Sequence, residues 1–235
     1  MTPDASTESP FWSWHDVAVF AGLAIPALLA GAVFAQVLGL FSPVLKATKV
    51  WLSMGAFYAL WFGGLYLLLK TRYDRPFWPS LGWIHPGPAA WLCFLAGPLV
   101  ALSVGGLGAL LRTPLKEMPI EKLLEGPAGV ALFGLFSVVL GPVTEELAFR
   151  GFLMPLAVRT FGPWPGILVA ALPFALLHGP EYAWTWQYVV LIGFAGAVFG
   201  AVRHYTRSTL ASALIHSTYN LTFFIALVTR VGSNR

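Results

Sequence analysis

The sequence is poor in charged residues and in cysteine. Of its 235 residues only 10% are charged and 57% are hydrophobic, whereas a soluble domain typically carries about 25% charged residues. The single cysteine, Cys93, excludes an intrachain disulfide and a cysteine-based metal cluster. The chain has no His-Glu-x-x-His pattern and no Gly-x-Ser-Gly pattern, which argues against a zincin metalloprotease and a rhomboid-like serine protease.

Long hydrophobic runs occupy most of the chain. A helix needs about 20 mainly apolar residues to cross a bilayer, and the candidate runs are Val17–Phe41, Ala47–Leu69, Ala89–Leu111, Pro127–Val143, Trp164–His178, Trp184–Val202 and Thr209–Val228. None has the alternating pattern of a barrel strand. No aspartate lies inside these runs, which argues against an aspartyl intramembrane protease. The sequence therefore predicts an all-α, polytopic transmembrane helical bundle of about seven to eight helices.

The runs suggest an order along the chain. We expect a soluble tail at residues 1–16, membrane helices and a connector at 17–126, and a second set of membrane helices at 127–235, all within one membrane domain. An exposed helix is expected in the connector from the spacing of its charges, Glu117, Glu121, Lys122 and Glu125. The basic residues lie at helix ends, where contact with membrane lipids is expected. A plasma or inner membrane would be the location in a prokaryote, and nucleic acid is not an expected partner.

Two adjacent glutamates have hydrophobic neighbours on both sides. They are Glu145 and Glu146, and a charge at the middle of a bilayer costs about 2.5–3.5 kcal/mol. On a helix, Glu146 and Arg150 are four residues apart and can form an ion pair, whereas Glu145 points about 100° away. Two carboxylates in different surroundings suit separate acid and base roles. The alternative is a salt-bridged helix end at the membrane surface.

Two histidines also lie at or inside hydrophobic runs. His178 ends one run, and His216 lies inside the last, with Asn220 four residues later on the same helix face. Such a pair of donors suits an oxyanion, although a helix–helix hydrogen bond is the alternative for a membrane histidine. Pro142 and Pro173 precede these polar groups and predict an irregular backbone that lines a cavity, with ordinary packing as the alternative.

Three motifs resemble those of the CPBP intramembrane proteases, a family that includes type II CAAX prenyl endopeptidases and bacteriocin-processing relatives. They are Glu145-Glu146-x-x-x-Arg150, Phe174-x-x-x-His178 and His216-x-x-x-Asn220, in this order. The resemblance implies hydrolysis of a peptide bond in a membrane-associated protein or peptide, which is prenylated for some family members. It implies that Glu145 is the general base on water with His178, and that His216 and Asn220 hold the oxyanion. Supporting roles fall to Glu146, Arg150 and Phe174.

The residues leave a zinc-dependent version of the same protease open. His178, His216 and Glu146 could supply three ligands and leave one open position. Because they lie on three helices without a compact ligand pair, a metal-free glutamate mechanism without a cofactor is favoured.

Two other classes of function remain as alternatives to a protease. A proton-coupled transporter would be expected to show inverted repeats, which the sequence lacks. A non-catalytic membrane immunity or scaffold protein would be favoured by the loss of a motif residue, and every motif residue is present.

Overall fold

The computed structural model describes residues 10–44, 48–88, 90–114, 124 and 126–233. Every regular element within these ranges is helical, which confirms the all-α prediction. Six of these helices are long and apolar enough to cross a membrane, and the chain is an integral, multi-pass membrane protein. The start of the predicted tail, residues 1–9, and the predicted connector helix with Glu117, Glu121, Lys122 and Glu125 lie outside the described residues.

The contacts divide the chain into two compact units, Met1–Ser80 and Leu81–Arg235. Unit 1 contains α1 (Trp14–Leu38), α2 (Lys49–Tyr73) and the short α3 (Phe77–Ser80). The helices α1 and α2 approach closely at Gly31, where an added Cβ would lie 2.7 Å from the carbonyl oxygen of Ser53. The sequence-based boundaries near residues 16 and 126 stay predictions.

The first helix starts earlier than the run Val17–Phe41 predicted. It begins at Trp14, so Asp16 lies in the first turn of a candidate span, and the expectation of no aspartate inside a span is wrong. The Asp16 carboxylate is fully buried and accepts hydrogen bonds from the Ser13 backbone N–H and hydroxyl at 2.8 Å and from the Tyr73 hydroxyl at 2.6 Å. Oδ1 accepts no hydrogen bond but lies 3.2 Å from Arg72 Nη1 in an ion pair. These contacts stabilise the charge in the first turn of the helix.

Unit 2 carries the polar residues identified in the sequence. Its helices are α4 (Ala90–Leu110), α5 (Gly126–Phe161), α6 (Pro163–Leu177), α7 (Trp186–Thr206) and α8 (Thr209–Ser233), with a 3₁₀ turn (Gly179–Tyr182) between α6 and α7. The buried side chains of Leu191, Phe199 and Ile215 belong to one core that joins α4, α7 and α8. This core fixes the helix that bears His216 and Asn220.

The helix α5 is much longer than the predicted run Pro127–Val143. It continues through the charged residues to Phe161, because Glu146 and Arg150 neutralise each other inside it. Its 36 residues correspond to a length of about 54 Å, compared with about 30 Å for the hydrocarbon core of a bilayer. Two stretches of α5, Leu135–Leu140 and Leu147–Leu153, are π-helical.

The helix α6 is shorter than the other candidate spans. It has 15 residues, about 22 Å of helix, and ends one residue before His178. Six of the seven predicted runs therefore meet the length of a membrane-spanning helix, and Trp164–His178 is the run that falls below it.

Candidate active site

The centre of the polar cluster is an ion pair inside α5. Arg150 Nη1 donates a hydrogen bond to Glu146 Oε1 at 2.9 Å, and both side chains are fully buried. The i,i+4 pair expected from the sequence is thus formed, but in the protein interior and not at an exposed helix end. A buried pair of this kind is stabilised by partners for its remaining polar atoms, and among these atoms the Nε of Arg150 has no hydrogen-bond partner.

Arg150 is held by groups from two other helices. Its Nη2 donates to the carbonyl oxygen of Gly196 in α7 at 2.8 Å, and its guanidinium lies 4.4 Å from the ring centroid of Phe174 in α6, within range of a cation–π interaction. Gly196 leaves room for this approach, because an added Cβ would lie 3.0 Å from Arg150 Nη2 and 3.0 Å from the Phe174 ring, closer than most Cβ contacts. Arg150 therefore joins α5, α6 and α7.

Both oxygens of the Glu146 carboxylate have partners. Oε1 accepts from Arg150 and also from His216 Nδ1 at 3.0 Å, and Oε2 accepts from the Ser212 hydroxyl at 2.6 Å. Ser212 and His216 lie one turn apart on α8, so one buried carboxylate organises the inner face of that helix. Because a carboxylate only accepts hydrogen bonds, Nδ1 of His216 carries a proton.

Glu145 differs from its neighbour in exposure and in its contacts. Its side chain is 28% exposed, and its Oε2 lies 3.8 Å from His216 Nε2, a separation longer than a hydrogen bond. The imidazole of His216 thus has one nitrogen on Glu146 and the other facing Glu145. The ring is fixed by stacking on Phe199, with centroids 4.5 Å apart.

Asn220 lies one turn beyond His216 on α8. Its side-chain Nδ2 donates to the main-chain carbonyl oxygen of Ser137 in α5 at 2.7 Å. Only the amide nitrogen can make this contact, since a carbonyl is an acceptor, so the orientation of the amide group is defined. The second N–H of Asn220 remains for another acceptor.

His178 follows the last residue of α6. Its Nδ1 donates to the carbonyl oxygen of Phe174 at 2.8 Å, which leaves Nε2 as the nitrogen that can exchange a proton with water. The Phe174 ring connects the two histidines, with centroids 4.8 Å from His178 and 5.9 Å from His216. The structure thus links His178 to the cluster through an aromatic ring, while Glu145, Glu146 and His216 lie in a group.

One further acid lies near His178. Glu181 belongs to the 3₁₀ turn that begins after His178, and its backbone N–H donates to the His178 carbonyl oxygen at 3.2 Å. In a 3₁₀ turn the side chains three residues apart are eclipsed, which puts this carboxyl on the His178 side of the turn. The Glu181 side chain is exposed at the surface, yet the protein atoms around its carboxyl partly desolvate it and raise its pKa. His178 lowers this pKa, and the charge of Glu145 raises it.

The proposed zinc ligands do not fit a metal ion. Within the described ranges, no group of three His, Cys, Asp or Glu side chains could hold one. In addition, both oxygens of Glu146 are already engaged by Arg150, His216 and Ser212. The set His178, His216 and Glu146 therefore lacks the free carboxylate that a three-ligand site requires.

Several contributing groups were not identified from the sequence. Ser212 precedes His216 by four residues, so the spacing that linked His216 to Asn220 could have revealed it. The main-chain carbonyls of Gly196 and Ser137 gave no signal, since a carbonyl is present at every residue. Phe199, which supports the His216 ring, resembles any other aromatic residue of a hydrophobic run.

Comparison with known proteins supports the resemblance inferred from the motifs. Residues 127–222 match a family model described as "Type II CAAX prenyl endopeptidase Rce1-like", and this range contains every residue of the three motifs. Neither the search of curated proteins nor the search of solved structures produced a match. The chain is thus a multi-pass membrane protein whose residues 127–222 are similar to the Rce1-like family of type II CAAX prenyl endopeptidases.

Proposed function

We propose that the chain is an intramembrane endopeptidase that hydrolyses a peptide bond with water activated by Glu145. The observation that carries the proposal is the unequal environment of two adjacent glutamates. Glu146 is fully buried and has partners at both oxygens, whereas Glu145 is partly exposed and directed toward His216. A general base needs a carboxylate that water can reach, and Glu145 meets this condition.

In the first step Glu145 takes a proton from water as the oxygen attacks the peptide carbonyl. The C–O bond forms, the carbonyl π-bond breaks, and the negative charge passes to the carbonyl oxygen. His178 assists by accepting a hydrogen bond from the same water through Nε2, because its Nδ1 is occupied by Phe174. When the C–N bond breaks, the proton carried by Glu145 passes to the leaving amine.

The oxyanion would be bound by two donors from one face of α8. Asn220 offers the N–H that is not bonded to Ser137, and His216 in its protonated form offers Nε2–H. The Glu146 carboxylate holds the imidazole in this orientation by accepting from Nδ1–H at 3.0 Å. Removing one oxyanion donor typically lowers kcat by about 10²–10³-fold.

No metal is included in this mechanism. The reason is the donor set, since the Glu146 carboxylate that would complete a zinc site is engaged by Arg150, His216 and Ser212. The catalytic set is therefore Glu145, His178, His216 and Asn220, with Glu146, Arg150 and Phe174 as support. The substrate class would be a membrane-associated protein or peptide, with prenylated proteins as one candidate group. In a prokaryote the location would be a plasma or inner membrane.

The proposal is tested by comparing new protein N-termini in membranes that contain the wild type or Glu145→Gln. We expect termini that appear only with the wild type and that persist in a strong zinc chelator. Asp74→Asn is the matched control, because it removes the same charge from an exposed residue that pairs with Lys70, and it should retain all cleavage. Termini that are equally abundant in Glu145→Gln would contradict the general-base role, and termini lost only in chelator would contradict the metal-free mechanism.

A further inference from the structure

The backbone of α5 is irregular immediately before Glu145. The residues Leu135–Leu140 form a π-helical stretch, and at its end the N–H of Gly141 donates to the carbonyl oxygen of Phe136, five residues earlier. The next residue is Pro142. Proline has no N–H, and its ring clashes with the carbonyl four residues earlier in a regular α-helix.

This combination leaves one main-chain acceptor without a helical donor. In the five-residue register the N–H of position 142 would bind the carbonyl oxygen of Ser137, but proline cannot supply it. That oxygen instead accepts from Asn220 Nδ2 at 2.7 Å. The Ser137 carbonyl oxygen is thus free to accept a hydrogen bond from a side chain of α8, because the π-helical register would pair it with position 142 and Pro142 has no N–H.

Gly141, the residue before Pro142, also contributes to the irregular backbone. An added Cβ at this position would lie 2.8 Å from the carbonyl oxygen of Phe136, closer than Cβ contacts in proteins. The wide register therefore favours glycine at 141, and the proline that follows at 142 supplies no N–H to the Ser137 carbonyl oxygen. Both residues are buried, so the pair acts inside the protein and not at its surface.

We propose that the Gly141-Pro142 pair positions the Asn220 amide for catalysis by releasing the Ser137 carbonyl to bind it. The inference rests on the proposed oxyanion role of Asn220. The released carbonyl selects the amide nitrogen over the amide oxygen, because an acceptor excludes the oxygen, and it fixes the plane of the group. The second N–H of Asn220 is then aimed in one direction, whereas a freely rotating amide would present its oxygen to an oxyanion part of the time. Gly141 and Pro142 are positioning residues, since neither touches the substrate.

The test is Pro142→Ala, which restores an N–H that competes with Asn220 for the Ser137 carbonyl. The fold should be retained, because removing proline from a helix removes a clash. The substrate for the assay is a peptide that spans a cleavage site found in the comparison of N-termini. On this peptide we expect kcat to fall by about tenfold, less than the loss on removing an oxyanion donor, with an unchanged KM. Pro26→Ala makes the same change at an exposed position of α1, and should leave kcat and KM at wild-type values.

A second readout does not depend on activity. The chain contains only two asparagines, Asn220 and Asn234, so selective ¹⁵N-asparagine labelling gives two side-chain amide signals in nuclear magnetic resonance spectra. In the wild type we expect one Asn220 amide hydrogen to be shifted downfield and protected from exchange with solvent. In Pro142→Ala both hydrogens should approach the values of a free amide.

The two readouts separate the possible failures. An Asn220 signal that is the same in the wild type and in Pro142→Ala would overturn the inference, whatever the activity. A changed signal with an unchanged kcat would also overturn it, because amide orientation would then not govern turnover. If the wild type itself cleaves nothing, the proposed function fails, while the amide signal still decides whether the pair releases the Ser137 carbonyl.

Discussion

At the scale of single residues, Arg150 interacts with several charged, polar and aromatic groups of the candidate site at once. It is a fully buried cation with an acid, a carbonyl and aromatic rings around it. Its removal would leave Glu146 as a buried charge supported only by His216 and Ser212. Losing one partner of a buried ion pair is far more costly than losing an exposed one.

We therefore predict that Arg150→Ala lowers the free energy of unfolding by about 3–5 kcal/mol. Thermal unfolding in detergent, followed by circular dichroism, measures the effect. The control is Arg159→Ala, at an exposed position of the same helix, which should change stability by less than about 0.5 kcal/mol. Equal melting temperatures for Arg150→Ala and the wild type would show that the buried pair contributes nothing to stability.

Glu181 makes stability depend on pH in a defined direction. Glu181 is exposed at the surface, but the protein atoms around its carboxyl displace part of its hydration and raise its pKa in the folded state above the value of about 4.3 for an unfolded chain. The folded state therefore favours the neutral carboxyl. The stability from this group is full below the unfolded pKa and is lost as pH rises through the folded pKa. Glu181→Gln should therefore gain melting temperature relative to the wild type as pH rises from 4 to 8.

Glu181→Asp is the matched control for this prediction. It keeps an ionisable group on the same turn, so its melting temperature should follow the pH trend of the wild type. The prediction fails if the difference between Glu181→Gln and the wild type is constant across this pH range.

Much of the residue-level site follows from local spacing, and the rest does not. The pairs Glu146–Arg150 and His216–Asn220 could be predicted because residues four apart share a helix face. The bond from Arg150 to Gly196 joins residues 46 positions apart, and the bond from Asn220 to Ser137 joins residues 83 positions apart. Such contacts depend on tertiary packing, which hydrophobic periodicity alone does not specify.

At the scale of elements, the close approach of α4 to α8 constrains the position of the helix that bears His216 and Asn220. At Gly97 an added Cβ would lie 2.0 Å from Thr218 Oγ1 and 2.6 Å from the carbonyl oxygen of Ile215. Both contacts are on α8, next to His216. Any side chain at this position must move one helix away from the other.

We predict that Gly97→Ala destabilises the fold by about 1–3 kcal/mol, as overpacking typically does, and that it lowers kcat because α8 shifts. Gly105→Ala is the matched control on the same helix, since nothing lies within 4 Å of an added Cβ there. It should keep wild-type activity. Similar kcat values for the two variants would show that the α4–α8 distance does not control the site.

Element boundaries were predictable where hydrophobicity changes and not where charges are paired. The run ending at Val143 was expected to stop before Glu145, yet α5 continues to Phe161 because its acid and its base neutralise each other. The π-helical stretches were indicated only indirectly, through the irregular backbone expected at Pro142. A register of five residues instead of four leaves the hydrophobic pattern nearly unchanged, so sequence periodicity does not reveal it.

At the scale of the whole molecule, the number of membrane crossings depends on α6. Its 15 residues span about 22 Å, but the segment after it carries Trp184 and Trp186, which are 61% and 58% exposed. Exposed tryptophans of this kind are typical of the membrane–water interface. This favours α6 as a seventh crossing, with the 3₁₀ turn after it at the membrane surface.

We predict that the two chain termini lie on opposite sides of the membrane. An odd number of crossings requires this, whereas the six longer helices alone would return the chain to its starting side. Reporter proteins fused to each terminus, one active only in the cytoplasm and the other only outside it, measure the arrangement. Termini on the same side would mean that α6 enters the membrane without crossing it.

The inner face of α8 has a consequence for how this sequence can change in length. Ser212, His216 and Asn220 follow one another at intervals of four residues, and each contacts α5. Substitutions between them leave the interval intact, but the insertion or deletion of a single residue would rotate everything beyond it by about 100°. The function of this face therefore depends on the spacing of its residues. Within Ser212–Asn220 the chain should accept substitutions far more readily than insertions or deletions.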